Sequence, residues 1–292
     1  MASLIHKTFL IPVALAAVMM FGLLKNIYHE VGGIPTERIS IVAVTVNDAI
    51  ENTSVQKNDI KKINTFLSTV PFLTKVIVFT DVSPETTNDQ FTSFITLLQT
   101  IQHNPLFIYG TTMLSIDRQI FPQLPYQYSK ESTVLHEYLK MDFITLDTVG
   151  IYSDSYLHYL QLTSSDPNTL IPTKNDEEKL KEYQWMTALL YSKPTIRIIL
   201  TQQDYRMLPD TYQQAIMKLL CQPDFSMYLY MTDKENLYNY QYCPSLSADA
   251  FSTPNKKISL VGLTMQHSHI PRIFVALIHI NNGLPSIEFT SL

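Results

Sequence analysis

Two hydrophobic rhythms alternate along this chain, and their order is the first thing it states. Arg38 to Val44 is a short apolar run bounded by polar residues, the pattern of a buried strand. A helix is predicted next, capped by Asn58, because Ile60, Ile63, Phe66 and Leu67 recur at helical spacing. Lys75 to Thr80 is the next strand. A second helix starts near Asn88 and gathers Phe91, Phe94, Ile95, Leu98 and Ile101 on one face. Pro105 to Gly110 then closes a βαβαβ unit. The second half repeats the habit less regularly, with strands at Asp142 to Leu146, Thr195 to Leu200 and Met227 to Met231. A helix from Asp176 to Ser192 turns Leu180, Tyr183, Met186, Leu189 and Leu190 inward, and another from Pro209 to Leu220 does so with Tyr212, Ala215, Ile216 and Leu219. The last stretch is β only: Ile258 to Thr264, Arg272 to Ile280 and Ser286 to Thr290, the final two joined by a turn at Asn281, Asn282 and Gly283. Such alternation predicts an α/β fold with a mostly parallel sheet covered by helices.

Ahead of this pattern, Phe9 to Leu24 is an uninterrupted apolar run between Lys7 and Lys25. Sixteen residues of helix span about 24 Å, slightly less than a hydrocarbon layer of about 30 Å, and Lys25 can snorkel while Ile27 and Tyr28 extend the segment. An uncleaved anchor is favoured, and a cleaved signal peptide is the alternative. The expected organisation is an anchor over 1–25, a tether over 26–38 and a body over 39–292. Lys7 and the free amino terminus place the N-terminus in the cytosol and the body on the lumenal or extracellular side. Signal cleavage would instead secrete it. The sequon Asn52, Thr53, Ser54 suits that side.

Composition narrows the function classes. The 292 residues are 46% hydrophobic and 16% charged, ordinary for a folded protein, and carry a net charge of -5. Without a basic field or a cluster of Lys and Arg among aromatics, nucleic acid is not expected as a partner. Cys221 and Cys243 are too few for a disulfide framework, and a single bridge between them stays open.

In open α/β sheets ligands gather at the carboxyl ends of the strands. The residues there are Val46 to Asp48, Thr80 to Ser83, Gly110 to Met113, Asp147 with Thr148, Thr201 to Gln203 and Thr232 to Glu235. Their order resembles the calcineurin-like metallophosphoesterases, and within them the tartrate-resistant purple acid phosphatases. Supporting segments are Phe121-Pro122, Pro125-Tyr126 with Tyr128, the run Asp142 to Thr148 against the family's FxLDT strand, and Tyr183-Gln184-Trp185 with Leu189. The likeness runs from about Ile39 to the C-terminus. It implies a four-layer α/β/β/α sandwich of metallophosphoesterase type.

The same resemblance implies a damaged metal centre. The family's first GD corresponds to Thr45-Val46, with Asp48 two residues on, and its second to Thr80-Asp81, which keeps the bridging carboxylate. The companion Tyr falls at Pro84. GNHD corresponds to Gly110-Thr111-Thr112-Met113, so Thr111 and Thr112 replace the ligand Asn and the acid-base His. GH becomes Thr201-Gln202, and GHxH becomes Thr232-Asp233-Lys234-Glu235. Valine and proline offer no donor atom, and threonine or glutamine oxygens suit hard cations better than Fe or Zn. A two-metal hydrolase also needs a metal-activated hydroxide, which vanishes with its metals.

The expectation is therefore a membrane-anchored pseudophosphatase, a non-catalytic binding or scaffolding module with no resident cofactor and a protein or small ligand at the vestigial cleft. The alternative is a weakly active metal-dependent phosphomonoester hydrolase rebuilt on Asp81, Asp233 and Glu235. Those three carboxylates could hold one weakly bound Ca²⁺ or Mg²⁺, against the simpler reading of solvated loop acids. His267 and His269 could similarly share a Zn²⁺, against a surface pair. Tyr228, Tyr230, Tyr238, Tyr240 and Tyr242 form a dense aromatic series that suits a pocket, a partner surface or the core.

Overall fold

The computed structural model describes residues 38–47, 53–82, 86–110, 128–136, 139–163, 174–192, 194–232, 235–243, 256–265, 273–281 and 284–292. Phe9 to Leu24, Asp48, the Phe121 to Tyr126 segment, His267 and His269 lie outside them. Among the described residues, no helix is long and apolar enough to cross a membrane.

The strands are β1 (Ile39–Asn47), β2 (Leu73–Asp81), β3 (Leu106–Tyr109), β4 (Ser129–His136), β5 (Leu139–Thr145), β6 (Ile196–Thr201), β7 (Phe225–Thr232), β8 (Leu237–Tyr242), β9 (Lys257–Thr264), β10 (Ile273–Asn281) and β11 (Leu284–Ser291). The helices are α1 (Thr53–Leu67), α2 (Asn88–Leu98), α3 (Asp154–Thr163), α4 (Asp176–Ala188) and α5 (Asp210–Cys221). They build an α/β fold on two mixed sheets instead of one mostly parallel sheet. The five-stranded sheet runs β11-β10-β1-β2-β3, and the six-stranded sheet runs β4-β5-β6-β7-β9-β8. In the first, β1, β2 and β3 run parallel and the antiparallel β10 and β11 flank β1 on one side; in the second, β5, β6, β7 and β9 run parallel between antiparallel edge strands β4 and β8. The β10–β11 hairpin closes across Asn281 and Leu284, as its turn residues predict.

The apolar runs of the central strands follow from burial on both faces. Ile41, Ala43, Ile77, Phe79 and Ile278 of the first sheet share one cluster with Met141, Phe143, Ile198, Leu229 and Val261 of the second, so the sheets face each other across it. Alternate residues point outward. Val42, Val44, Val76 and Val78 meet Ile60, Ile63, Phe91 and Phe94 from α1 and α2, while Ile144, Ile199 and Tyr228 meet Met186, Tyr212, Ile216 and Leu219 from α4 and α5. The predicted inward face of α5 is thus correct.

Two local expectations are corrected, and the start expected near Asn88 is located. Helix α1 starts at Thr53, so Asn58 is an exposed interior residue and not a cap. Thr87, one residue ahead of Asn88, caps α2 through a reciprocal box with Gln90. On α4, Leu180 is 54% exposed while Glu182 is buried beside Met186.

Cys221 and Cys243 are disulfide-bonded, with Cα atoms 5.8 Å apart and a sequence separation of 22. The bond ties the end of α5 to the end of edge strand β8. Closing a loop of that length restricts the unfolded chain by about 3 kcal/mol. Cys221→Ala with Cys243→Ala is accordingly expected to lower urea stability by about that amount. An unchanged midpoint would show that the bridge contributes nothing.

Candidate functional site at the strand ends

The first sheet brings three of the strand ends singled out in the sequence side by side. Val46 lies opposite Thr80, and Thr80 lies opposite Tyr109, so the ends of β1, β2 and β3 are level. Thr80 Oγ1 donates to the Val46 carbonyl at 2.7 Å, and the Gly110 amide donates to the Thr80 carbonyl at 2.7 Å. Asp81 therefore emerges at the very end of β2. A Cβ at Gly110 would sit 2.3 Å from Asp81 Cγ, so glycine is what lets the carboxylate lie over the end of β3. Asp81 Oδ1 accepts from the Val82 amide at 2.9 Å. The carboxylate is partly exposed and locally oriented. Val46 contributes only apolar surface to the core.

At the second sheet, the position that resembles the family's GH is engaged elsewhere. Gln202 Oε1 accepts from the Thr148 amide at 2.8 Å and sits 3.1 Å from Thr148 Oγ1. Gln203 Nε2 donates to the carbonyls of Thr148 at 3.1 Å and Ile151 at 2.9 Å. The two glutamines stitch the loop after β6 to the loop after β5. Below them, the hydroxyls of Thr201 and Tyr228 and the Gln203 carbonyl form a closed triangle with edges of 2.7, 2.8 and 2.8 Å. Burial pushes the Tyr228 hydroxyl well above its ordinary pKa, so it stays protonated.

Beyond β6, Asp204 accepts from the Arg206 amide at 3.0 Å and pairs with its guanidinium, while Tyr205 donates to Gln241 on β8. Tyr230 covers Gly262, where a Cβ would meet its ring at 3.1 Å. Burial raises the Tyr230 hydroxyl's pKa, with Asp204 adding to the shift and Arg206 opposing it. The tyrosine series thus divides. Tyr228 and Tyr230 are buried, whereas Tyr238, Tyr240 and Tyr242 are exposed on β8, with Lys257 Nζ 3.7 Å from the centre of the Tyr240 ring.

Of the other sequence-predicted positions, Glu235 is exposed just before β8, while Pro84, Thr111, Thr112 and Asp233 lie outside the described residues. Among the described residues, no three His, Cys, Asp or Glu side chains converge as a metal site. Of the described positions that the resemblance assigns to metals, Val46 has no donor atom, Asp81 gives one carboxylate, and the Gln202 oxygen accepts from Thr148.

Sequence reasoning overlooked a buried ion triad next to this end. Lys174 Nζ lies 2.7 Å from Glu182 Oε2 and 3.1 Å from Asp147 Oδ2, and it also donates to the Asp147 carbonyl. All three residues are buried. Burial raises the Glu182 carboxyl to about 7, opposed by Lys174 and reinforced by Asp147. With 1% of its surface exposed, the Glu182 carboxyl is shielded from solvent. Asp147 sits at a strand end and was within sight, but nothing in the spacing of Lys174 and Glu182 marks them as its partners. Comparison with family models and with curated proteins finds no match to this chain.

Proposed function

We propose that the protein is a membrane-anchored pseudophosphatase: a metallophosphoesterase-type framework that binds or scaffolds without hydrolysing. Two facing sheets with helices on both outer faces are what a four-layer α/β/β/α sandwich of that type requires. The observation that carries the loss of catalysis is Gln202. Where the family resemblance puts a metal-ligating imidazole, an amide oxygen holds the Thr148 amide and hydroxyl in place. That residue works for the loop and not for a metal.

The Cys221–Cys243 bridge supports a body in an oxidising compartment, on the lumenal or extracellular side of the membrane that Phe9 to Leu24 would span. Asp81, held over Gly110, supports at most a single hard cation at the cleft, since one carboxylate with Glu235 and Asp233 would offer oxygen donors only.

Metal analysis of the detergent-solubilised full chain, dialysed after exposure to Fe and Zn, tests this reading. The expected result is metal well below one ion per chain, equal in the parent and in Asp81→Asn. Two tightly held ions per chain, lost in Asp81→Asn, would overturn it.

A further inference from the structure

The turn ahead of β2 holds a phenylalanine in a conformation that its side chain disfavours. Phe72 has φ 56°, in the left-handed region where a bulky residue is an outlier, and its side chain is 64% exposed. Nothing about closing this turn requires phenylalanine, since glycine or asparagine would adopt the same backbone with less strain. The turn is clipped to the start of β1. The Ser40 amide donates to the Phe72 carbonyl at 3.1 Å, and Ser40 Oγ donates to the Pro71 carbonyl at 2.7 Å.

Ser40 stands two residues after Arg38, where the tether from the apolar run reaches the body. Residues 26–38, at roughly 3.5 Å each, reach at most about 45 Å, so this end of the sheet is the part of the body held near the run. The same end carries exposed Arg38, exposed His103 before β3 and exposed Asn281 at the end of β10, since Ile39 lies opposite Ile280. An aromatic side chain beside cationic and polar groups matches the composition of a bilayer interface, where ring and charge each find their own depth.

We propose that the amino-terminal end of the five-stranded sheet, led by Phe72, docks on the lipid surface in which Phe9 to Leu24 is anchored. This rests on the membrane anchoring proposed above. Docking fixes the orientation of the body: the strand carboxyl ends of that sheet, with Asp81, face away from the bilayer. The vestigial cleft is then presented to partners in the aqueous phase.

The test uses the full chain reconstituted into vesicles of phosphatidylcholine and phosphatidylglycerol, with and without dibrominated phosphatidylcholine as a quencher. Phe72→Trp adds one indole to the chain's single tryptophan, Trp185, which packs at a tilt against Tyr128 with ring centroids 4.8 Å apart. The added indole is expected to lose most of its emission in brominated vesicles. Leu180→Trp, on α4 of the other sheet's outer face, is expected to lose none. Equal emission of Phe72→Trp in both vesicles, or equal quenching of both variants, would overturn the docking. Alkaline carbonate extraction separates the two claims. Retention in the pellet with an unquenched indole defeats the docking alone, and release into the supernatant defeats the anchoring and the docking with it.

Discussion

Replacing Lys174 with methionine is expected to destabilise the fold by about 4 kcal/mol near pH 8, and by clearly less near pH 5. The size follows from burial. Lys174, Asp147 and Glu182 are each less than a tenth exposed, and the ammonium bridges both carboxylates. Removing the one cation leaves two carboxylates facing each other out of water. The pH dependence follows from Glu182, whose carboxyl is raised from 4.5 to about 7. Between those values the folded state holds a proton that the unfolded chain has released, so stability falls as pH rises through the window and levels off above it. Near pH 5 Glu182 is neutral with or without Lys174, and only Asp147 is left uncompensated. Glu182→Gln isolates the same group. It should flatten the slope between 4.5 and about 7 and raise stability above it, by up to about 3 kcal/mol. Urea midpoints of the solubilised full chain at the two pH values read both effects. An equal loss for Lys174→Met at both, or a loss for Glu182→Gln near pH 8, would show that Glu182 does not carry the proton.

Arg197→Met is expected to destabilise by a similar amount, about 4 kcal/mol, with no comparable pH slope below about pH 8. The guanidinium is buried at the start of β6. Its Nη1 donates to the Leu219 carbonyl at 2.7 Å and Gln222 Oε1 at 2.9 Å, and its Nη2 donates to the Ser192 carbonyl at 3.0 Å and Ser192 Oγ at 2.9 Å. One residue thus satisfies the end of α5 and the turn that follows α4. Burial lowers its pKa to about 10, eased by the Asp142 carboxylate, which still leaves it charged at neutral pH. Methionine fills the space and orphans those acceptors. Lysine should not rescue, because a single ammonium cannot serve two diverging sets of oxygens as a planar fork does. Wild-type stability in Arg197→Lys would contradict this account of the fork.

What could be read in advance divides along tertiary contacts. The central strands were legible because both their faces are buried, so β1, β2, β6 and β7 read as apolar runs. The inward residues of α5 were legible for the same reason. The edge strands of the second sheet were not. β4 is Ser129–His136 and mostly polar, β8 exposes Tyr238, Tyr240 and Tyr242, and each has a neighbour on one side only, so neither needs a hydrophobic signature. Helix α3, with Leu162 72% exposed and none of its described side chains buried, was missed on the same grounds. Leu180 and Glu182 exchange their expected places because Lys174 compensates a charge on the buried side of α4, a long-range pairing that periodicity cannot register. At the candidate site, the departures of Val46 and Gln202 from the residue types of the resembled family were visible in the sequence. What Gln202 does instead, holding Thr148, required coordinates.

The proposed absence of a working two-metal centre is tested most directly by turnover of an aryl phosphate from acid to neutral pH, with the metal-exposed full chain and its Asp81→Asn variant side by side. The expected result is no hydrolysis by the parent above that of Asp81→Asn at any pH. Hydrolysis that follows bound metal and disappears in Asp81→Asn would mean that a catalytic site has been rebuilt around that carboxylate, and that the protein is an acid phosphatase after all.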